Sequence, residues 1–277
     1  MLMSRLTAAL ALLLLVPTAS LAEEGVCESW PTPALAEGPV ALGFLSADVS
    51  TARRACARTE VGLGIQGNAL IETQNLYGAL TGAAVVSGSL AVRPDLELFS
   101  TLEAARLQFV QNASLTGTSL ALGQLTLGGT WAGWLRGPFV VAPSVRLQLP
   151  TSFASPRVRT AGAEVGAALL YRPTSRFDVH GYVGVDGDLG LGAGESLPRV
   201  GALVNVGVEY VFFRHFAAVL DANVRLGRRA ALDSVAPTLG LRFAAGRHFG
   251  AEVGASLPVV GAERALAAGG LKLTWRL

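Results

Sequence analysis

The C-terminal stretch Leu271-Lys272-Leu273-Thr274-Trp275-Arg276-Leu277 carries an apolar residue at every odd position and a polar one between. A helix repeats its faces about every 3.6 residues, so a period of two cannot stripe one, whereas on a strand it separates the two sets onto opposite faces. The pattern returns in Val200, Ala202, Val204, Val206, Val208 and Tyr210, with Asn205, Gly207 and Glu209 on the other face. It returns again in Phe216, Ala218, Leu220, Ala222, Val224 and Leu226, opposite Asp221, Asn223 and Arg225. Phe249, Ala251, Val253, Ala255 and Leu257 stand opposite Glu252 and Ser256. A strand with lipid on one side and water on the other requires this arrangement.

The chain is 51% hydrophobic and 15% charged. A helical membrane protein needs several apolar runs of about 20 residues. Here only one segment resembles a hydrophobic helix, at the N-terminus, and it is too short for a membrane anchor; elsewhere the apolar residues are interrupted at alternate positions or by some of the 33 glycines. The net charge is +2 and Lys272 is the only lysine, which gives no electrostatic footprint for nucleic acid. Arg5, the apolar stretch Leu6 to Val16, Pro17 and Ser20-Leu21-Ala22 read as a signal peptide over 1–22, with the mature chain beginning at Glu23. Residues 23–58 differ in character, with Pro31, Pro33 and Pro39 and a helix-like stretch from Ala47 to Ala57 that Asp48 or Ser50 caps. This segment is expected to be a periplasmic extension or a plug folded into a lumen. In an exported protein Cys27 and Cys56 are expected to form a disulfide, the alternative being two free thiols.

Turn signals divide 59–277 into roughly twelve strands, an even count as single-chain bacterial barrels require. The expected spans are 59–71, 77–92, 96–110, 117–134, 138–149, 160–172, 176–190, 198–212, 216–226, 236–245, 248–259 and 265–277. Every second connection is tight: Arg93-Pro94-Asp95, Arg136-Gly137-Pro138, Pro173-Thr174-Ser175, Arg214-His215 and Gly246-Arg247. The intervening ones are mostly longer, notably 150–159 and 227–235. Short periplasmic turns alternating with longer outer loops predict an all-β, up-and-down transmembrane barrel with both termini periplasmic, in the outer membrane of a Gram-negative bacterium. With the tight turns periplasmic, the aromatic residues gather near that side. Trp131, Trp134, Phe139, Tyr171, Phe177, Tyr210, Phe212, Phe216, Phe243, Phe249 and Trp275 form the expected girdle, with Phe99 and Phe213 beside them. Tyr77, Phe109 and Phe153 are candidates for a weaker outer girdle. A soluble sandwich also alternates, but has no reason to collect aromatics at one end of its hairpins.

The segment Gly123-Gln124-Leu125-Thr126-Leu127-Gly128-Gly129, followed by Val140 to Thr151 ending in Leu149-Pro150-Thr151, resembles the family of outer-membrane transporters associated with meta-pathway phenol degradation. The family pattern is a Gly-Asp-Leu strand, a strand ending in Leu-Pro-Thr-Gly, and a later hairpin carrying a histidine. Gln124 stands in place of the Asp and Ser152 in place of the last Gly, while His180 suits the later position. The resemblance covers roughly residues 117–190. It implies a barrel of this size and passage of small, partly hydrophobic molecules, and it brings no catalytic residues with it.

If the apolar faces meet lipid, the opposite faces line the lumen. They present Glu60, Arg146, Glu164, Asp178, His180, Asp186, Asp188, Glu209, Asp221, Asn223, Arg225, Arg242, Glu252, Lys272 and Arg276. Acidic groups dominate 176–190, and basic ones cluster in 216–226, 236–245 and 265–277. Opposed charges would set a transverse field across a water-filled pore. Alternatively they pair and fill the barrel. His180 with Asp178 and Asp186 suggests a metal site or an acid–base pair, but a metal centre needs a more defined ligand set. No Ser-His constellation marks a hydrolase. The expected function is therefore a channel or transporter for small molecules by passive diffusion, with no catalytic residue, cofactor or metal. A structural or assembly-related barrel with a plugged lumen is the alternative, and a membrane hydrolase a third class. The expected partners are outer-membrane lipid, the barrel-assembly machinery during insertion, and a small-molecule solute, without nucleic acid.

Overall fold

The computed structural model describes residues 59–277, apart from 73–76, 94, 112–115, 133, 137–138, 152–159, 175, 191–198, 214, 228–231, 246–247, 258 and 262–264. The expected signal peptide, the extension or plug, and both cysteines lie outside the described residues.

The chain forms β1 (Glu60–Glu72), β2 (Tyr77–Arg93), β3 (Leu96–Gln111), β4 (Thr116–Ala121) and β5 (Gln124–Trp131). Then follow β6 (Trp134–Arg136), β7 (Phe139–Pro150), β8 (Thr160–Thr174), β9 (Phe177–Gly190) and β10 (Arg199–Phe213). The last five are β11 (Phe216–Leu226), β12 (Leu232–Ala245), β13 (Phe249–Ser256), β14 (Val260–Gly261) and β15 (Ala265–Arg276). No helix occurs among the described residues. Twelve strands close a ring in the order β1-β2-β3-β5-β7-β8-β9-β10-β11-β12-β13-β15, each antiparallel to its neighbours. The ring shuts where the last strand meets the first, with Val61 opposite Trp275, Leu63 opposite Leu273 and Ile65 opposite Leu271. A closed, fully paired barrel satisfies every ladder group without water, which is the condition for crossing a bilayer with strands.

The three remaining strands are pieces of neighbours. β4, β5 and the start of β6 occupy the single span expected at 117–134, broken at residues 122–123 and at Ala132. The upper break faces a bulge in β3, where the register against β2 shifts between Ala84 and Val85. There Gly123 donates its N–H to the Glu103 carbonyl at 2.9 Å, and the Gln124 N–H goes to the Glu103 carboxylate at 3.3 Å. A bulge strengthens local twist and throws the opposing ladder out of step, so the partner strand is cut. β14 prolongs β13 along β12. β12 begins at Leu232 rather than at the expected 236, because Ser234 and Val235 pair with Arg225 and Val224 on one side and with Gly261 and Val260 on the other.

Along each strand the apolar set faces outward and the polar set inward. Leu63, Leu147, Val165, Val206, Leu239 and Leu273 are large, exposed hydrophobics, whereas Glu60, Glu164, Glu209, Asn223 and Thr238 are buried. This inverts the soluble rule and identifies the outer surface as lipid-facing. Leu220, 55% exposed in mid-β11, should therefore tolerate apolar exchange. Leu220→Arg is expected to cost about 2–4 kcal/mol in lipid vesicles, measured by denaturant titration, with Leu220→Ile near neutral.

The rim at the tight turns carries the aromatics. Trp131, Trp134, Phe139, Tyr210, Phe212, Phe213, Phe216 and Trp275 are exposed, and Tyr171, Phe177, Phe243 and Phe249 are half-buried beside them. Phe139 stacks on Tyr171 at 4.4 Å between centroids, and Phe216 meets Phe243 at 4.9 Å. Phe99 departs from the expectation: its ring lies over Gly128, on the face that Thr101 and Glu97 share. Of the outer candidates, Phe109 is exposed, the Tyr77 side chain is outside the described set, and so is Phe153. At the first tight turn Arg93 and the Trp131 indole both donate to the Asp95 carboxylate, at 2.6 and 2.7 Å, which holds its pKa down to about 2.

Candidate functional site

The only described surface that is both enclosed and polar is the inner wall of the barrel. Strand parity delivers its residues: Asp178, His180, Tyr182, Gly184 and Asp186 share one face of β9, and Gly207 and Glu209 share the matching face of β10. Asp221 and Asn223 continue it on β11, Thr238 and Arg242 on β12, and Glu252 on β13.

Glycines on that face let long side chains lie along the wall instead of across the bore. His180 Nε2 and Asp221 Oδ1 lie 2.6 Å apart although β10 runs between their strands. The gap is Gly207, which pairs with both residues, and where a Cβ would overlap Asp221 Oδ1 and His180 Nε2. Tyr182 repeats the device. Its ring lies flat over Gly184, where a Cβ would come within 2.7 Å, and its hydroxyl donates to Glu164 Oε1 at 2.7 Å.

Ion pairs follow the same lateral logic. Arg242 donates to Glu209 at 2.9 and 3.1 Å across β11 and lies 3.5 Å from Glu252 on β13. Arg225 reaches Asp186 at 2.6 Å across β10, with Asp188 at 3.7 Å. Arg146 pairs with Glu164 on the adjacent strand, and Lys272 lies 3.9 Å from Glu60. Asn205, Asn223 and Thr238 form an uncharged ladder through Nδ2–Oδ1 at 2.8 Å and Nδ2–Oγ1 at 3.1 Å. The field expected between an acidic span 176–190 and basic groups on 216–277 is thus replaced in large part by pairs along one wall. The physical reason is reach: an arginine spans one intervening strand more easily than the whole bore, and a buried charge needs its partner close.

The sequence-predicted residues all lie on described strands, with the Arg276 side chain outside the described set. The inner wall also holds Glu97, Glu103, Arg106 and Tyr182, which the sequence reading left out. Tyr182 was legible, since it shares parity with Asp178 and His180. Glu103 and Arg106 were not, because the bulge between them breaks the alternation by one residue. Glu103 accepts from Gln66 at 3.1 Å and lies 3.3 Å from Arg106, so it ties β1 to the β3 irregularity. His180 does not gather a metal set; among the described residues no three His, Cys, Asp or Glu side chains form one.

Solvent access divides the lumen along its length. Toward the tight turns the inner faces of nearly every strand are closed: Thr130, Val140, Leu170, His180, Glu209 and Val219 are buried. Toward the other end Gln66, Arg106, Gln124, Gln148, Asp186 and Arg225 are half-buried, and the Asp188 side chain is 31% exposed. Among the described residues, the inner wall is therefore buried toward the tight turns and solvent-accessible, as a vestibule, toward the long-loop end.

No family model matches the sequence. No curated protein matches it either. Among solved structures, the chain is similar to an outer-membrane channel of Pseudomonas putida F1, with a TM-score of 0.62 and 10% identity over 84% of this chain and 99% of that one. It is similar to the translocator domain of the autotransporter NalP from Neisseria meningitidis, with a TM-score of 0.56 and 10% identity over 86% of this chain and 92% of that one. It is also similar to the KdgM porin in complex with oligogalacturonate, with a TM-score of 0.51 and 7% identity over 79% of this chain and 99% of that one. The fold is a closed antiparallel β-barrel of the kind found in Gram-negative outer membranes.

Proposed function

We propose that this chain is an outer-membrane channel that passes small molecules by passive diffusion, and not an enzyme. The observation that carries the reading is the inverted wall: an apolar exterior around an interior that holds the buried charged and polar side chains and is solvent-accessible toward one end. Likeness to a bacterial outer-membrane channel and to a porin supports it. The meta-pathway resemblance adds the class of partly hydrophobic solutes. Short turns at the aromatic rim favour placing both termini in the periplasm, with the vestibule facing outward. The alternate apolar residues of β15 suit recognition by the barrel-assembly machinery.

A second reading, a structural barrel with a filled lumen, is favoured by the buried, paired charges of the tight-turn half. Residues 23–58, joined through Cys27 and Cys56, are the segment proposed to shut that half as a plug. Planar bilayers separate the readings. Discrete conductance steps are expected, larger when residues 23–58 are deleted. A refolded barrel that conducts in neither form would leave only the structural reading. Uptake of hydrophobic solutes is assayed separately in liposomes, since their route need not carry ions.

A further inference from the structure

Among the described residues, the buried half of the lumen wall has more acidic groups than cations to meet them. Arg242 serves two carboxylates, Glu209 at 2.9 Å and Glu252 at 3.5 Å. Among the described residues, Asp221 pairs with His180 alone. Asp221 Oδ2 and Glu252 Oε2 are buried and have no hydrogen-bond partner among the described residues. Farther out on the same wall, Asp186 Oδ1 and Asn205 Oδ1 are in the same condition. Of the buried nitrogens in that condition, Arg106 Nε and Arg146 Nε belong to guanidinium groups paired with Glu103 and Glu164 on the other wall, and His180 Nδ1 lies on this one. Lys272 is the register partner of Glu252, but its Nζ lies 3.9 Å from Glu60.

Among the described residues, four buried carboxylates, Asp178, Glu209, Asp221 and Glu252, thus share this wall with one arginine and one histidine. With His180 charged the set still carries an excess negative charge, and with His180 neutral the excess is larger. A buried carboxylate that is not fully compensated is costly, and a mobile cation supplies what the wall lacks. An anion meets the same field with the opposite sign.

We infer that the β9–β13 wall is a cation filter, in which the Asp221 and Glu252 carboxylates hold monovalent inorganic cations such as potassium on their way through the buried half of the lumen. The inference rests on the channel reading, but the site can be tested apart from it.

The full-length protein is compared with Asp221→Asn/Glu252→Gln, whose side chains keep their shape and lose their charge. In bilayers under a potassium chloride gradient, the reversal potential should report several-fold preference for potassium over chloride, collapsing toward equality in the double variant. In detergent, melting is compared in potassium chloride and in N-methylglucamine chloride at equal ionic strength. The full-length protein should melt higher in potassium, and the double variant equally in both. Selectivity lost in the double variant supports the filter whatever the melting result. Selectivity that survives the double variant overturns the assignment, as does equal permeability or preference for chloride. A non-conducting protein that melts higher in potassium, with the difference lost in the double variant, removes the channel and keeps the cation site. A non-conducting protein indifferent to the salt removes both.

Discussion

Arg242→Ala is expected to destabilise the barrel by about 3–5 kcal/mol, because it leaves two buried carboxylates without their shared cation. The guanidinium holds Glu209 through both oxygens, at 3.1 and 2.9 Å, and stands 3.5 Å from Glu252. Glu209 is fully buried, so water cannot replace the lost partner. Denaturant titration of the refolded protein in lipid vesicles, followed through the tryptophans at the rim, measures the loss. The triple change Arg242→Met, Glu209→Gln and Glu252→Gln should recover most of it, since removing all the charges together leaves none uncompensated. A single-variant cost below about 1 kcal/mol would mean that the pair is solvated like a surface one. Arg225→Ala provides the internal comparison: its partners Asp186 and Asp188 have side chains 13% and 31% exposed, against 0% and 10% for Glu209 and Glu252, and the expected loss is smaller.

Gly207→Val should be as damaging, although it removes no contact. A Cβ at this position overlaps both Asp221 Oδ1 and His180 Nε2, so the pair must separate or the wall must bend. Breaking a buried pair costs about 3–5 kcal/mol, and forcing atoms into filled space adds about 1–3 kcal/mol. Gly82→Ala is the control, because its nearest neighbour to an added Cβ is a backbone oxygen 4.0 Å away, and it should be close to neutral. The two losses should not add when Gly207→Val is combined with Asp221→Ser, since the pair is already broken and the shorter side chain removes the closer of the two overlaps. Strict additivity would show that Gly207 serves the backbone rather than the bridge over it.

Both predictions concern features that differ in how far the sequence disclosed them. The strands and their two faces were readable because the alternation of Cβ atoms is a local property of each strand, fixed by the pleat and independent of neighbours. The alternation of Leu271, Leu273, Trp275 and Leu277 with Lys272, Thr274 and Arg276 therefore announced both a lipid face and a lumen face. The turn signals counted the strands for a similar reason, since a tight turn is set by its own few residues. The start of β12 at Leu232 and the break within 117–134 were not readable, because each depends on the adjacent ladder. Ser234 becomes a strand residue through Arg225 and Gly261, and the cut at 122–123 answers a bulge in β3.

The candidate site divides in the same way. Parity along the chain was enough to place Asp178, His180, Glu209, Asp221, Arg242 and Glu252 on inward faces. It could not say which of them meet. His180 and Asp221 are 41 residues apart and join only because β9, β10 and β11 lie side by side in register with Gly207 between them. The sequence by itself determined a membrane barrel with a polar bore, since side-chain alternation is settled one strand at a time. The tertiary structure alone decided that the charges pair along the wall and that the described wall is buried toward the tight turns, since reach and burial depend on strands two places apart.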